Sequence, residues 1–244
     1  MNTEEYGRMY AAEGSHWWYR ALHAHVRDAC ARYAPGARRV ADVGCGTGAM
    51  AAQLATVADV VGLDFSREGL AYCRRRGLTR LARGDAGHLP LAPGAFDVVL
   101  LLDVLYHRNV GDPQAVLGEV HRVLAPGGVV VINVPAYAWL HSSHDIAVHT
   151  GRRFTRGEVC GLLRAAGFAV CFASYWNTLF FPAIVLLRVY RRWVPPQGSD
   201  VSETTSPAVN RVLGGAMACE RALMRVVPLP FGVSVFVVAR KGAE

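Results

Sequence analysis

Between residues 38 and 134, short runs of β-branched and aliphatic residues alternate with stretches of helical spacing. This alternation is typical of a parallel sheet that is covered by helices. Residues 98–102 are apolar at every position, which indicates a strand buried on both faces, because a half-exposed strand would alternate polar and apolar residues. The predicted strands are 39–43, 60–64, 80–84, 96–102, 129–134, 168–175 and 232–240. They predict an α/β protein with a Rossmann-like, doubly wound, seven-stranded sheet.

The spacing of apolar residues predicts helices at 15–33, 48–58, 66–76, 112–124 and 155–166. The last two predicted strands are about 55 residues apart, too far for a loop without structure of its own. This segment holds an amphipathic run, FFPAIVLLRVYRRW, then a Pro/Ser/Thr-rich linker at 195–207 and a second amphipathic run at 209–226. We therefore divide the chain into an N-terminal helical lid (1–37), a sheet domain (38–176 and 231–244) and a helical insert (177–230). The insert serves as a lid or as a homodimer face.

The chain of 244 residues carries 26 Lys and Arg against 19 Asp and Glu, a formal net charge of +7. Its longest Arg run, at 74–76, lies at a predicted helix end, where positive charge favours the helix dipole. We therefore expect a small-molecule substrate and no nucleic-acid partner. Six scattered cysteines without a C-x-x-C pair argue against a zinc ribbon and a disulfide framework. The polar N-terminus and the short apolar runs predict a cytoplasmic protein without integral membrane association.

The run VADVGCGTGAM, residues 40–50, joins the first predicted strand to a helix. Gly44, Gly46 and Gly48 allow a tight turn and bring the backbone close to a ligand. With Ala49 the run also satisfies the dinucleotide pattern G-x-G-x-x-G/A, and Gly46 and Gly48 would be explained as well by helix–strand packing. However, Asp42 places a carboxylate where it would disfavour a pyrophosphate. The turn therefore favours a ligand with a positive charge.

Two further acids follow the next two strands. Asp64 ends VVGLD about 20 residues past the first glycine, where an acid can accept hydrogen bonds from both ribose hydroxyls. Asp85 follows the third strand in GDAGHLPL, where it either meets an adenine amino group or caps a turn. Since the carboxyl ends of parallel strands share one edge of a sheet, both acids are predicted to lie beside the glycine-rich turn.

The motifs DVGCGTG, GDAGHLPLAPGAFDVVLLLDVLYH and RVLAPGGVVVINVP, in this order over roughly residues 38–137, resemble the class I S-adenosylmethionine-dependent methyltransferases of the small-molecule type. The resemblance implies a mostly parallel sheet with its last strand reversed, and S-adenosylmethionine as cofactor. The ammonium and sulfonium groups of that cofactor suit Asp42. By the same resemblance, the cofactor site is lined by Asp42, Gly44, Cys45, Gly46, Asp64, Phe65, Asp85 and Ala86, with Leu102 and Asp103 at its methionine end.

The aromatic run His16–Trp17–Trp18–Tyr19–Arg20 resembles the N-terminal lid helix of this family, which closes over the methionine end of the cofactor. Arg20 would pair with the methionine carboxylate, and Trp18 or Tyr10 would cover the sulfonium by cation–π attraction. Alternatively, the two tryptophans only dock the helix on the sheet.

Methyl transfer from a sulfonium is an in-line displacement, so positioning the acceptor is the main catalytic task. Asp103–Val104–Leu105–Tyr106–His107 follows the fourth strand in place of the N/D/S-P-P-Y/F run of nucleic-acid methyltransferases, and His107 is a base or a pocket wall. After the fifth strand, His144–Asp145 is predicted to be an acid–base pair. The same loop has two other interpretations: a metal site formed by His141, His144, Asp145 and His149, or a structural role.

These features predict an enzyme that transfers a methyl group from S-adenosylmethionine to an O or N atom of a small molecule, such as a natural-product or sugar intermediate. The main alternative is a methyltransferase-like fold recruited for a cyclisation or rearrangement with the cofactor bound but not consumed. A nicotinamide-dependent oxidoreductase is disfavoured by Asp42. A binding module that uses FFPAIVLLRVYRR as a membrane-surface anchor is a further alternative.

Overall fold

The computed structural model describes residues 3–142, 145–146, 148–193 and 206–243. Seven strands form one sheet in the order β3-β2-β1-β4-β5-β7-β6. The strands are β1 (Arg39–Val43), β2 (Asp59–Asp64), β3 (Leu81–Arg83), β4 (Phe96–Leu102), β5 (Leu124–Pro135), β6 (Phe168–Trp176) and β7 (Ser234–Lys241). Only β7 runs antiparallel to its neighbours, β5 and β6. The predicted Rossmann-like, mostly parallel sheet with its last strand reversed is therefore confirmed.

Helices cover both faces of the sheet. They are α1 (Thr3–Ala12), α2 (Trp17–Tyr33), α3 (Ala49–Leu54), α4 (Arg67–Arg75), α5 (Pro113–Val123), α6 (Arg156–Ala165), α7 (Phe181–Trp193) and α8 (Pro207–Met224). Side chains cap several of them: Ser66 accepts the Gly69 N–H at the start of α4, and Thr155 forms a capping box with Glu158 at the start of α6. The sequence did not predict α1, whose first residues are polar and acidic.

Two apolar clusters lie on opposite faces of the sheet. In β1, Ala41 and Val43 belong to the first cluster and Val40 to the second, as the period of two in a strand requires. Residues 98–101 of β4 are almost completely buried, with side chains in both clusters. The continuous apolar run in the sequence is explained by this burial on both faces.

Helix α8 packs as part of the core. Its Met217 and Met224 are buried in the same cluster as the apolar face of α2. Asp28 of α2 binds Arg221 at 2.7 Å and Arg225 at 2.8 Å, both N–O distances. The C-terminal part of the predicted insert therefore contributes to the core, whereas the whole of 177–230 was expected to serve as a lid or a homodimer face. A cover or dimer face therefore remains a proposal for α7, and most of the predicted linker at 195–207 lies outside the described residues.

Helix α7 is attached to the core at its beginning. The buried Glu220 carboxylate, on α8, accepts hydrogen bonds from the backbone N–H groups of Asn177, Thr178 and Leu179, just before α7. An anion at this position also favours the helix dipole. Along the rest of α7, the side of the helix that faces away from the protein is exposed. No helix in the described part of the chain is long and apolar enough to span a membrane.

Candidate active site

The glycine-rich turn lies at the carboxyl end of β1, with backbone angles that exclude most side chains. Gly44 and Gly46 have φ of 74° and 56°, in the left-handed region. A Cβ on Gly46 would lie 2.7 Å from Cε of Met9, and one on Gly44 would overlap Val104. The Leu63 carbonyl accepts the N–H groups of Gly44 and Cys45 at 2.7 and 3.0 Å. The turn is therefore held against the end of β2, with its backbone close to α1.

Asp64 connects the turn to the second strand. One carboxylate oxygen accepts the Gly46 N–H at 2.8 Å, and the other accepts the Ser66 N–H at 2.8 Å. Burial raises the pKa of Asp64 above its usual value, although these two hydrogen bonds lower it. Each oxygen keeps a second lone pair, so the carboxylate can hold the turn and still accept hydroxyl groups from a ligand.

Three buried acids gather at this edge of the sheet. Burial, followed by the charges of Glu13 and Asp64, raises the pKa of Asp42 to about 7. Burial also raises the pKa of Glu13. Buried acids that repel one another are stabilised by a cation, because an opposite charge offsets both their desolvation and their repulsion. These three carboxyl groups fit a ligand that carries an ammonium or a sulfonium group, and they do not fit a pyrophosphate.

Glu13 and Arg76 join α1 to the glycine-rich turn. The Thr47 hydroxyl donates to the Glu13 carboxylate, and Arg76 Nη2 lies 3.1 Å from the same carboxylate. Arg76 also donates to the carbonyls of Thr47 and Tyr10, at 2.9 and 3.1 Å. The Arg run lies at a helix end, as predicted, but the Arg76 side chain is largely buried and has a second role. Its guanidinium holds α1 over the turn.

The N-terminal aromatic residues occupy different places from those predicted. The Tyr10 ring lies against Tyr72, with ring centroids 4.8 Å apart, and the Arg76 guanidinium lies 4.2 Å from its centre. Trp18 stacks on Trp176 at 5.7 Å and packs against the second core cluster, while the Arg20 side chain is exposed. The alternative in which the tryptophans dock α2 on the sheet accounts for these contacts. The predicted roles of Tyr10, Trp18 and Arg20 toward the cofactor gain no support from them.

At the end of β4, Asp103 has φ of 60° and is oriented by a hydrogen-bonded chain. The Asn133 amide donates to both Asp103 oxygens at 3.1 and 3.0 Å, and the Trp176 ring N–H donates to the Asn133 carbonyl at 2.7 Å. Burial raises the pKa of Asp103 to about 7. Leu102, just before it, is half-buried. Asp103 is therefore a fourth acid with a raised pKa, on the predicted methionine side.

Phe65, Asp85 and Ala86 of the predicted cofactor site lie at the ends of β2 and β3. Phe65 is 63% exposed, which is unusual for a large aromatic side chain, and the Arg83 guanidinium lies 5.5 Å from its ring centre. Asp85 accepts the Gly87 N–H at 3.0 Å, as expected if it caps a turn. Its other oxygen lies 3.8 Å from His88. Ala86 is half-buried beside it. An exposed ring at this edge is available to stack on a planar base.

Asp145 forms a buried ion pair with Arg153. Arg153 donates to both Asp145 oxygens, at 2.9 and 3.0 Å, and to the Ala136 carbonyl at 2.9 Å. Burial would raise the pKa of Asp145, but the hydrogen bonds and charge of Arg153 outweigh burial and hold it below the usual value. A carboxylate paired in this way is a poor general base, so the structure favours the structural interpretation of Asp145. His144 lies outside the described residues.

His107 and His149 are two further histidines that were considered as functional residues. Burial lowers the pKa of His107 to about 4, and its ring lies 5.8 Å from that of His149. His107 is therefore neutral at pH 7 and suits a pocket wall or a weak base. Within the described ranges, no three or more His, Cys, Asp or Glu side chains form a metal-binding group.

Several residues of this site carry no recognisable sequence signal. Tyr6 lies close to Asp64, and burial, followed by the Asp64 charge, raises its pKa to about 12. Three more side chains reach the site: Glu13 from the end of a polar helix, Asn133 from a strand and Arg153 from a loop. Beneath the turn, the Cys45 and Cys73 sulfurs lie 3.7 Å apart as free thiols. Only the fold brings these side chains together.

Residues 41–132 match a family model described as a methyltransferase domain. A demethylmenaquinone methyltransferase of Thermus thermophilus is 44% identical over 103 residues, which cover 39% of this chain and 46% of that protein. A ubiquinone biosynthesis O-methyltransferase of Pectobacterium carotovorum is 38% identical over 116 residues, 42% of this chain and 46% of that protein. The chain thus spans about half the length of these curated relatives.

Among solved structures, the [4+2]-cyclase SpnF matches with a TM-score of 0.58 and 23% identity, over 93% of this chain and 83% of that chain. At this identity the match supports the fold alone. The match of residues 41–132 to methyltransferase domains and the fold match agree with each other, and both agree with the class I S-adenosylmethionine-dependent methyltransferases that the motifs resemble. The cofactor of this family is S-adenosylmethionine.

The buried acids predict that affinity for S-adenosylmethionine rises with pH. Asp42 and Asp103, with pKa values of about 7, are partly protonated near neutral pH. A cationic ligand favours their ionised forms, so binding below pH 7 must release protons. We expect the affinity to increase up to about tenfold per group and per pH unit from pH 6 to pH 7, and to level off above pH 8.

Isothermal titration calorimetry in buffers of different ionisation enthalpy measures both the affinity and the protons released. Asp42→Asn should remove the share of one group and so weaken the pH dependence, whereas Asp97→Asn, which changes a half-buried acid at the opposite end of β4, should leave it unchanged. A wild-type affinity that is constant from pH 6 to pH 8, without proton release, would contradict the cationic interpretation of the site.

Proposed function

We propose that this protein transfers a methyl group from S-adenosylmethionine to an O or N atom of a small molecule. The observation that carries the proposal is the group of buried acids, Glu13, Asp42 and Asp64, around the glycine-rich turn. Bound S-adenosylmethionine supplies an electrophilic methyl group on a sulfonium. Phe65, Asp85 and Ala86 would hold the adenine end, and Asp103 with Leu102 would face the methionine end.

The residues of this chain then have positioning roles. The Trp176–Asn133–Asp103 hydrogen bonds fix the Asp103 carboxylate, and Arg76 with Glu13 holds α1 over the turn. A fixed carboxylate orients a cationic ligand without reorganisation when the ligand binds. Closure by α1 excludes water from the same edge of the sheet.

An aromatic cluster at the ends of β5 and β6 is the proposed acceptor side. Tyr137 stacks on Tyr175 with ring centroids 5.2 Å apart and an interplanar angle of 15°. Phe181 lies 5.8 Å from Tyr137 and 5.4 Å from Phe231. These rings favour a planar or apolar acceptor, such as an aromatic natural-product intermediate, over a sugar. The quinone-related names of the two relatives agree with this preference.

The alternative is a cyclisation or rearrangement that leaves the cofactor unconsumed, and the fold is compatible with it, since the cyclase SpnF has a similar fold. It is favoured by two of the predicted bases, both within the described residues, being poor bases: Asp145 is paired with Arg153, and His107 has a low pKa. We place methyl transfer first because acceptors such as neutral amines require no base. A cytoplasmic site of action, a small-molecule substrate and the absence of nucleic-acid partners remain part of this proposal.

The two functions differ in their products. The protein is incubated with S-adenosylmethionine labelled in its methyl group and with planar phenols, hydroquinones and aromatic amines, and the products are analysed by mass spectrometry. Formation of S-adenosylhomocysteine together with a labelled acceptor supports methyl transfer. An acceptor that is converted without gain of mass, with the cofactor intact, would instead establish the alternative. Asp64→Ala serves as the site-dependent control.

A further inference from the structure

A small cleft, open to solvent, lies between α2, the end of α8 and the strands β6 and β7. It is on the face of the sheet that carries the second apolar cluster, and much of its lining is apolar: Phe172, Met224, Phe236 and Val238. No residue that lines it belongs to the candidate active site described above. We call it the α2–α8 cleft.

His25 contributes a buried polar atom to the α2–α8 cleft. The residue is 5% exposed, and its Nε2 atom has no hydrogen-bond partner among the residues that the structure describes. The rings of Trp176 and Phe236 hold the imidazole in place, with centroid distances of 5.1 and 5.6 Å. Burial, followed by the Arg221 charge, lowers the pKa of His25 to about 4, so the ring is neutral at pH 7. A polar group of a ligand that bonds to Nε2 would therefore satisfy a buried atom without having to neutralise a charge.

The charged side chains that line the α2–α8 cleft are three arginines and one aspartate. The aspartate, Asp28, binds Arg221 and Arg225. The third arginine, Arg32, donates to the Arg225 carbonyl at 3.1 Å and lies 5.4 Å from the ring centre of Tyr33. It forms no ion pair with any acid in the described part of the chain. The lining therefore has an excess of positive charge, and Arg32 is the group that can bind an anion.

The two polar groups also fix the length of a ligand that contacts both. His25 and Arg32 are seven residues apart on α2, which is two turns and about 10 Å along the helix. A guanidinium group binds a carboxylate through two parallel N–H donors. Between the two groups, the rings of Tyr33, Phe172 and Phe236 favour a flat, apolar body. A cation is disfavoured by the arginines, and a highly charged phosphate compound is disfavoured by the apolar lining.

We propose that the α2–α8 cleft is a second ligand site, which binds a small aromatic hydroxy acid. In this arrangement Arg32 pairs with the carboxylate, the aromatic ring lies on the apolar lining, and His25 Nε2 forms a hydrogen bond with the hydroxyl group. A single ring with a polar group at each end spans most of the distance between the two side chains. The proposal does not depend on methyl transfer, since it follows from the charge, the burial and the lining of the cleft alone.

Titration of the full chain with 4-hydroxybenzoate tests the proposal. The NMR signals of ring-labelled histidines follow binding, and His25→Phe identifies the signal of His25. We expect this signal to shift in a saturable way. Binding of 4-hydroxybenzyl alcohol, which lacks the charge, should be at least about tenfold weaker, and binding of benzoate, which lacks the hydroxyl group, at least about twofold weaker.

Arg32→Gln should weaken the binding of 4-hydroxybenzoate at least about tenfold, because it removes the charge that pairs with the carboxylate. Arg27→Gln is the matched control. Arg27 is exposed on the same helix, donates to Gln53 and does not line the cleft, so this variant should bind like the wild type. Circular dichroism and thermal unfolding establish that all variants fold.

An unchanged His25 signal at millimolar 4-hydroxybenzoate, with or without shifts of other histidines, would overturn the proposal. It would also be overturned by equal affinity of the wild type and Arg32→Gln. Equal weakening in Arg32→Gln and Arg27→Gln would do the same, because only the net charge of the protein would then attract the anion.

Discussion

Asp64→Ala is expected to weaken S-adenosylmethionine binding by roughly 2 to 4 kcal/mol, which is about 30- to 1000-fold in Kd, given about 1.5 to 3 kcal/mol for each hydrogen bond to a charged group. The Asp64 carboxylate is proposed to accept ribose hydroxyls, and it also accepts the Gly46 and Ser66 N–H groups that shape the turn. The variant therefore loses ligand contacts and the fixed conformation of the turn. Calorimetry with the purified protein measures the change.

Asp59→Ala is the matched control, because Asp59 begins the same strand at the opposite edge of the sheet and pairs with Arg80 on the surface. It should bind the cofactor like the wild type. Both variants should show wild-type circular dichroism. Wild-type affinity in a folded Asp64→Ala protein would show that this carboxylate does not contact the cofactor. It would also weaken the proposal that the cofactor binds at the carboxyl edge of the sheet.

The second large effect is expected on stability. Asp145→Ala should lower the free energy of unfolding by about 3 to 5 kcal/mol, because it leaves the buried Arg153 charge without its partner. Arg153→Met should lower it less, because Arg188 still lies 3.9 Å from the Asp145 carboxylate. The Asp145 and Arg153 side chains are almost completely buried and joined by two hydrogen bonds. Since the pKa of Asp145 is below its usual value, its contribution is present at neutral pH and is lost as the pH falls through that pKa. Urea unfolding at pH 7 measures the change.

The double variant Asp145→Leu/Arg153→Met should recover much of this loss, because it removes both charges at once. Single variants as stable as the wild type would contradict the buried ion pair. If Asp145→Asn instead lowered kcat by about 10² to 10⁴ and abolished a pH-dependent step in the rate, Asp145 would be restored as a general base.

The sequence was sufficient to predict the strands, the fold class, and the glycine-rich turn with Asp64 beside it. Strands β1 and β4 begin and end at the predicted residues, because runs that are buried on both faces contain almost no polar residues. Glycines at a strand-to-helix turn and acids at strand ends are local signals. The positions of Gly44, Gly46 and Asp64 at this turn could therefore be predicted without a structure. Residues 41–132, where these signals lie, are also the part that the family model matches.

Contacts between distant parts of the chain could not be predicted in this way. Glu13 and Arg76 are 63 residues apart and meet only because α1 crosses the glycine-rich turn. Asp145 next to His144 has the sequence of an acid–base pair, but Arg153 determines its charge and its role. The Met residues of α8 belong to the core because α2 offers them an apolar surface. A sequence pattern reports the periodicity and chemistry of neighbouring residues, whereas the pKa and the partner of a side chain depend on burial and on charges that only tertiary packing brings within a few ångströms.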